Sequence, residues 1–333
     1  MSESSTAEAH EQAHADEPTR VAIACQGGGS HTAFTAGVLR TLLDHWDDEA
    51  FELVGISGTS GGAFNALATW YGLVTGDAET ASDLVGALWD DLAADDPVDW
   101  WANAWVTGRS RLESAGVPLP VVSPYQIPGP EAGKDRMREI LERHIDFESV
   151  PELCQRGAPE LVVGTVNVNA GVFETFTNEA VTVDAVLASA AIPELFRAVE
   201  IHGHLHRDGL FSQNPPVDDL MGLPERKPEE LWVIQVNPQE FSGEPTTSEV
   251  IADRRNELAG NISLNQELRF IEKVNEWIET GKLPADEFTK TGIHRIQMGQ
   301  RFHCSTKVDR SPEFIAELQK LGAKRADEFL SNR

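Results

Sequence analysis

The chain has 333 residues, and its 54 acidic and 27 basic residues give a formal net charge of −27. This length allows one large α/β core or two smaller ones. The strong negative charge makes nucleic acid and anionic membrane unfavourable partners for the surface as a whole.

The N-terminal segment, residues 1–19, is rich in Glu, Asp, His and Ala and has no hydrophobic block. We expect a disordered acidic tail there, and neither a signal peptide nor a membrane anchor. Cys25, Cys154 and Cys304 are odd in number and far apart, which argues against a disulfide framework and predicts a reducing, cytoplasmic compartment.

A glycine triplet separates the first predicted strand from the first predicted helix. Val21–Cys25 is continuously apolar, as in a buried strand, and Ala33–Trp46 has apolar residues at helical spacing. Between them lies Gly27-Gly28-Gly29. A glycine-rich turn between strand and helix exposes backbone N–H groups and can bind an anion.

Two other uses of such a turn fit the sequence poorly. A dinucleotide-binding turn needs glycine where Thr32 stands, and a phosphate-binding P-loop needs a Gly-Lys-Ser/Thr ending that is missing here. We therefore interpret the turn as an oxyanion hole formed by the amides of Gly28 and Gly29. Loss of one such donor typically costs about 2.7–4 kcal/mol of transition-state stabilisation.

The next segment has the pattern of a nucleophile elbow. Glu52–Ile56 is predicted to be a strand, and Gly58-Thr59-Ser60-Gly61-Gly62 matches G-x-S-x-G ahead of a helix of small and apolar residues. A strand that turns at once into a helix leaves no room for Cβ atoms two residues either side of the serine, so Gly58 and Gly62 are required. Ser60 is the predicted nucleophile, and Ser57 competes less well because it lacks the second glycine.

The middle of the chain is less regular. Asp77–Ala94 is predicted to be a surface helix, and Glu131–Ile145 an amphipathic helix with a solvated face. Between them, Asp95–Pro130 contains several tryptophans and prolines and little periodicity. We interpret this segment either as a lid over an apolar site or as a satellite cluster on the core.

A predicted hairpin follows, formed by the interior strand Leu161–Val168 and the strand Val172–Thr177, and then a short helix, Thr182–Ala191. Further on, alternating histidines at 202, 204 and 206 predict one strand face bearing all three. Zinc binding is conceivable there, but a solvent-facing hairpin is favoured because no Cys or carboxylate cluster is near in sequence.

The remaining segments complete the alternation of strands and helices. Glu230–Asn237 and Ile293–Met298 are predicted strands, Ser248–Gly281 a long helix broken near Gly260, and Pro312–Leu330 a closing helix. We expect one α/β fold in which residues 20–222 form the main domain and residues 223–333 complete it.

The later stretch Arg254–Ile271 resembles the bacterial and archaeal branch of the patatin-like phospholipase family, and four earlier motifs in this order resemble the family as a whole. They are the glycine triplet Gly27–Gly29, the elbow Gly58–Gly62, the small-residue segment Ala188–Pro193, and the Asp208-Gly209 turn ahead of Asn214-Pro215. The resemblance covers about residues 21–220. It implies a three-layer fold in which helices cover a central, mostly parallel sheet.

The resemblance also implies the chemistry. A member of this family would be a serine hydrolase of carboxylic esters, a lipid acyl hydrolase with a Ser60–Asp208 dyad and an oxyanion hole at Gly27, Gly28 and Gly29. No cofactor or metal is expected. The substrate would be a lipid or acyl ester, with at most transient membrane or micelle contact.

The chain departs from the family pattern at three positions. His31 and Thr32 stand where a basic residue and then glycine are usual, and Leu210 stands where Gly or Ala is usual. Two alternatives therefore stay open: a catalytically impaired lipid-binding or scaffold protein, and a Ser-His-Asp triad that uses His303 or His294.

The composition also predicts a halophilic source. The basic residues are 8 Lys and 19 Arg, and an acidic, lysine-poor surface is favoured where salt screens its self-repulsion. We expect the melting temperature to rise as KCl is increased to molar concentration, measured by circular dichroism. Maximal stability in dilute buffer would contradict this prediction.

Overall fold

The structure is a computed structural model that describes residues 17–94, 97–117, 119–120, 122–126, 129–154, 157–223 and 226–333. Residues 1–16 of the predicted acidic tail therefore lie outside the described residues. The described strands are β1 (Thr19–Cys25), β2 (Phe51–Thr59), β3 (Glu160–Asn167), β4 (Val172–Thr177), β5 (Val199–Ile201), β6 (His204–Asp208), β7 (Glu230–Gln235) and β8 (Gly292–Gln297).

The described helices lie between and after these strands, and five of them follow one another between β2 and β3. They are α1 (Ala33–Asp44), α2 (Gly61–Thr75), α3 (Ala78–Leu92), α4 (Pro97–Ser114), α5 (Gly129–His144), α6 (Val150–Leu153), α7 (Val183–Ser189), α8 (Asp218–Met221), α9 (Ser248–Glu279) and α10 (Pro312–Ser331). None of the described helices combines the length and the apolarity that a bilayer span would need.

All eight strands belong to one sheet, in the order β5-β6-β3-β2-β1-β7-β8, with β4 paired to the outer edge of β3. The pairings among β1, β2, β3, β7 and β8 are parallel. Those made by β4, β5 and β6 are antiparallel. The prediction of a central, mostly parallel sheet covered by helices is confirmed.

The central strand β1 shows why the sheet needs helices on both faces. Val21, Ile23 and Cys25 pack into one apolar cluster, whereas Ala22 and Ala24 pack into the other. A strand buried on both faces has a continuous apolar sequence rather than an alternating one, as observed here. The strands β7 and β8 lie in this same sheet, beyond β1.

The strand β3 aligns the two halves of the candidate site. Along one edge of β3, the residues Val162–Asn167 pair with β4. Along the other edge β2 pairs as far as Gly164, opposite Thr59, and β6 begins at the next residue, where Thr165 lies opposite Asp208. The carboxyl ends of β2 and β6 therefore meet head to head, and Ser60 and Asp208 are brought together.

Three sequence predictions about secondary structure are wrong. The segment 95–130 was expected to be irregular, but its residues Pro97–Ser114 form the helix α4. The predicted break in the long helix is absent: α9 continues through Gly260, where a Cβ would lie 3.1 Å from the Cβ of Asn214. Glycine at this position allows a close approach rather than ending the helix.

The third error concerns the histidines, which do not share one strand face. His202 and Gly203 form the turn between β5 and β6, with φ values of 51° and 78°. Only His204 and His206 lie on β6, where His206 is buried and its Nε2 is 3.0 Å from Glu174 Oε2.

Candidate active site

Ser60 lies at the sharp turn between β2 and α2 and has a strained backbone. Its φ of 57° and ψ of −132° are rarely adopted by a residue with a side chain. A Cβ on Gly58 would lie 2.6 Å from the Ala63 nitrogen, and one on Gly62 would lie 2.9 Å from the Gln26 carbonyl oxygen. Both glycines of the predicted motif are therefore needed for this turn.

A hydrogen-bonded serine that the sequence did not single out holds the turn in place. The Ser60 backbone N–H donates to Ser189 Oγ at 2.9 Å, and the Ser189 hydroxyl donates to the Gly164 carbonyl at 2.7 Å. Ser189 is fully buried. It thus connects the elbow to β3, although in the sequence it was only one residue of a small-residue segment.

Asp208, the last residue of β6, is fully buried beside this turn. Its Oδ1 accepts the Leu210 backbone N–H at 2.9 Å. The Ser60 hydroxyl interacts with the same carboxyl group. However, Oδ2 accepts no hydrogen bond of standard length and angle from the described residues. No hydrogen bond of standard geometry thus joins the two side chains in the described structure, and such bonds often tighten only when substrate binds.

Burial raises the pKa of Asp208 to about 7, although hydrogen bonds from the Leu210 amide and the Ser60 hydroxyl partly oppose the rise. The ordinary Asp pKa of about 3.9 suggested a carboxylate that is always ionised at neutral pH. In the structure, burial shifts this equilibrium towards the protonated form of Asp208.

In the Asp208-Gly209-Leu210 turn, position 209 has no room for a side chain, whereas position 210 needs only its backbone N–H. A Cβ on Gly209 would lie 3.0 Å from the Gly164 carbonyl oxygen and 3.1 Å from Thr59 Cγ2, so glycine allows β6 to end against β2 and β3. At Leu210 only the backbone N–H contacts the carboxylate. The unusual leucine therefore leaves the hydrogen bond to Asp208 intact.

The glycine triplet also lies beside Ser60, but its three amides are not equivalent. The Gly27 N–H donates to Asn214 Oδ1 at 2.6 Å, and its carbonyl accepts from Asn214 Nδ2 and Asn237 Nδ2. The Gly27 amide is thus already engaged, and we correct its predicted role from oxyanion donor to fixed anchor of the loop.

The amides of Gly28 and Gly29 have no hydrogen-bond acceptor among the residues that the structure describes. Gly29 has a φ of 59°, and a Cβ there would overlap the Lys307 carbonyl. It begins a short 3₁₀ turn, Gly29–Thr32, that runs directly into α1. These two N–H groups are thus free to bind an anion at a helix start.

His31 points away from the site, into the protein. Its Nε2 is 2.7 Å from Thr306 Oγ1, and its ring packs against Phe302 and Phe314. Burial, helped by the nearby positive charge of Lys307, lowers the pKa of His31 to about 3. His31 is therefore a neutral packing residue and does not supply the charge that a basic residue would.

Lys307 braces the segment behind the glycine loop Gly27–Gly29. Its ammonium is 2.6 Å from Asp253 Oδ1 and 3.0 Å from Glu257 Oε1, both on α9. Lys307 and Thr306 belong to a 3₁₀ turn, Cys304–Val308, that packs against the loop. This ion cluster contributes to the loop's rigidity and was not found from the sequence, because its members are about 50 residues apart.

Thr32 fastens the loop through its side chain. Its hydroxyl donates to the Gly29 carbonyl at 2.7 Å, and its own carbonyl accepts from Asn65 Nδ2 at 2.9 Å. The side chain is buried against Gly61. These contacts predict that Thr32→Gly loses stability.

We expect Thr32→Gly to lower the free energy of unfolding by about 2 kcal/mol, since it removes a buried hydrogen bond and adds backbone freedom. The measurement is the urea midpoint, with Thr32→Ser as the matched control that keeps the hydroxyl and should lose less than half as much. A wild-type midpoint for Thr32→Gly would contradict this role.

The histidines of the alternative triad lie elsewhere. His294 Nε2 is 3.7 Å from Glu230 Oε2, and His303 Nδ1 is 2.8 Å from Ser305 Oγ. Within the described residues, no hydrogen bond or ion pair joins either histidine to Ser60 or Asp208. The same part of the chain contains no group of three His, Cys, Asp or Glu side chains arranged for a metal ion.

Comparisons with known proteins agree with the motif order. The sequence model described as patatin-like phospholipase matches residues 23–221, well over half of the chain. No curated protein matches the chain by sequence.

Three solved structures resemble this one at low identity. VipD from Legionella pneumophila is 14% identical with a TM-score of 0.48, covering 95% of this chain and 67% of that chain. ExoU in the ExoU–SpcU complex of Pseudomonas aeruginosa is 13% identical (TM-score 0.35, 95% and 52%). Human GIVD cytosolic phospholipase A2 is 13% identical (TM-score 0.42, 93% and 57%).

The chain thus spans between 52% and 67% of the length of these three proteins. The match to the family's sequence model includes the glycine triplet, the elbow and the aspartate turn described above. The chain therefore belongs to the patatin-like phospholipase family.

Proposed function

We propose that this protein is a serine hydrolase that cleaves the carboxylic ester of a lipid, with Ser60 as nucleophile and Asp208 as base. The observation that carries the proposal is the meeting of β2 and β6 beside β3. It brings a serine with strained backbone angles against a buried carboxyl that keeps one oxygen without a standard hydrogen bond.

The chemistry follows from these groups. The Asp208 carboxylate accepts the Ser60 hydroxyl proton as Oγ attacks the acyl carbon, and the oxygen of the tetrahedral intermediate becomes negative. The amides of Gly28 and Gly29, together with the positive N-terminal end of α2, would stabilise that oxygen. Protonated Asp208 then gives its proton to the leaving alkoxide. In the second half of the reaction Asp208 accepts a proton from the attacking water and returns it to Ser60 Oγ as the free acid leaves.

The raised pKa of Asp208 suits both roles. A carboxylate with an ordinary pKa is a weak base, whereas one that titrates near 7 accepts a proton more readily and can return it to the leaving group. Burial thus supplies part of the activation that histidine supplies in a Ser-His-Asp triad. This supports the dyad over a triad built on His294 or His303.

The competing proposal is a catalytically impaired protein that binds lipid without cleaving it. The departures at His31, Thr32 and Leu210 are its basis. Their contacts favour an intact loop instead. Thr32 hydrogen-bonds within the loop, His31 ties it to Thr306, and Leu210 uses only its backbone N–H.

The deciding test is ester hydrolysis by the wild-type chain across a panel of acyl chain lengths, from dilute buffer to molar KCl. We expect turnover that Ser60→Ala abolishes. Absence of turnover at every salt and chain length, from wild-type chain that circular dichroism shows to be folded, would support the impaired protein.

A further inference from the structure

The exposed face of helix α4 differs from the rest of this acidic surface. Trp100, Trp101 and Trp105 are 53%, 70% and 74% exposed, and Leu112, two turns further on, is 50% exposed. At 3.6 residues per turn, Trp101, Trp105 and Leu112 lie within about 40° of one another around the helix. They form one apolar stripe, which we call the Trp face.

The Trp face carries no carboxylate. In a chain with a net charge of −27, α4 contains two acidic and two basic residues and is neutral. Its acidic residues, Asp99 and Glu113, lie about 100° or more around the helix from the centre of the Trp face. Arg109 lies closer, about 60° from that centre, and pairs with Glu113 at 2.8 Å.

The exposed indole groups of α4 also differ from those in the core. Trp70, Trp89 and Trp232 each donate their indole N–H to an oxygen of the protein. In the part of the chain that the structure describes, Trp100, Trp101 and Trp105 have no such acceptor. An apolar ring with an unused donor is suited to the boundary between hydrocarbon and water.

The opposite side of α4 is fixed near the candidate active site. The Arg310 N–H donates to Asn103 Oδ1 at 2.8 Å, and Asn103 Nδ2 donates to Asp309 Oδ1 at 3.1 Å. Ser114 Oγ is 3.3 Å from the sulfur of Cys304. The turn Cys304–Val308 in turn packs against the loop of Gly28 and Gly29.

We propose that the Trp face docks the protein onto a lipid surface of neutral, zwitterionic headgroups, from which the site takes its ester substrate. This inference rests on the proposed hydrolase function for its substrate. Charge selects the surface: anionic headgroups are repelled by the protein as a whole, and a second copy would carry a charge of −27 as well. A zwitterionic surface has no net charge and accepts interfacial tryptophans.

Binding is tested with the full-length Ser60→Ala chain and vesicles of diether phosphatidylcholine, a lipid that contains no acyl ester. Flotation gives the partition coefficient, and tryptophan emission reports insertion. We expect Trp101→Ala with Trp105→Ala to lower the partition coefficient by about tenfold or more. Phe270→Ala is the matched control, since Phe270 is 61% exposed on α9 outside the Trp face, and it should change nothing.

The lipid charge provides a second arm. Replacing half of the phosphatidylcholine by diether phosphatidylglycerol should weaken binding in dilute buffer, and molar KCl should restore it. Because no step requires chemistry, failure of the proposed hydrolase function would leave this binding result interpretable.

Turnover gives a third arm that also checks folding. With Ser60 present, the double tryptophan variant should keep the wild-type kcat on a soluble short-chain ester and lose activity only on vesicles. Equal vesicle binding with and without the two tryptophans would overturn the proposal. So would light scattering without lipid that finds a wild-type dimer and a monomeric tryptophan variant, because the occupant would then be a second copy.

Discussion

Replacing Ser60 by alanine is expected to lower kcat for ester hydrolysis by about a million-fold, to the background rate. The serine supplies the atom that forms the acyl-enzyme, and the neighbouring hydroxyls of Thr59 and Ser189 instead donate to the backbone carbonyls of Gln213 and Gly164. The measurement is steady-state turnover of a chromogenic ester, with a burst phase in the wild-type enzyme that the variant lacks. The melting temperature should stay close to that of the wild type, because alanine keeps the Cβ at the strained position.

Ser57→Ala is the matched control. Ser57 lies three residues away on β2, where its hydroxyl is buried and donates to the Pro216 carbonyl. Its loss should reduce stability by about 1–3 kcal/mol while kcat stays within a few-fold of the wild type. Residual turnover of more than about 1% in Ser60→Ala would refute Ser60 as nucleophile.

Asp208→Asn is expected to reduce kcat by at least about 10⁴-fold, since the amide cannot accept the Ser60 proton. Asparagine has nearly the same shape, and its oxygen can still accept the Leu210 N–H. The variant should therefore fold. The comparison is kcat of wild type and variant on the same soluble ester, with circular dichroism as the folding check.

The pH dependence of kcat/KM in the wild type tests the role of Asp208 independently. Because the deprotonated form is the base, kcat/KM should rise with pH and level off above the Asp208 pKa of about 7. The effect on stability has the opposite sign. A folded pKa above the unfolded value of about 3.9 favours folding fully below pH 4, and this contribution is lost as pH rises through 7.

Asp208→Asn cannot ionise, so its stability should fall less than that of the wild type between pH 4 and pH 8. His294→Ala and His303→Ala should leave kcat within a few-fold of the wild type. Should either histidine variant be as inactive as Asp208→Asn, the triad would replace the dyad.

The elbow was predictable from sequence because its requirement is local. A Cβ on Gly58 or Gly62 would clash with atoms a few residues away or at the end of the adjacent strand β1. The G-x-S-x-G spacing follows directly from this constraint. The strands β1 and β2 and the hairpin of β3 and β4 were likewise marked by continuous apolar runs.

The surroundings of the site depend on contacts between distant parts of the chain. The Gly27 amide is taken by Asn214, 187 residues later, and Ser189 holds Ser60 across 129 residues. No local pattern marks such partners. The Asp208 pKa is equally hidden, because it depends on complete burial where β2 and β6 meet.

The helix α4 was missed for a different reason. Its largest apolar side chains, Trp101 and Trp105, point outward, and polar Asn103 and Thr107 are buried on its inner side. The usual relation between apolar periodicity and a buried helix face is thus inverted there. The prediction that the histidines at 202, 204 and 206 share one strand face failed because a two-residue turn interrupts their alternation.

The most direct test of the account is labelling of the wild-type chain by a fluorophosphonate, followed by peptide mass spectrometry, at pH 8 in both dilute buffer and molar KCl. A fluorophosphonate phosphonylates an activated serine, so the account predicts one adduct, on the peptide that contains Ser60. That adduct should be absent from Ser60→Ala and strongly slowed in Asp208→Asn. An adduct on another residue with Ser60 unmodified, or ester turnover without any adduct, would contradict it.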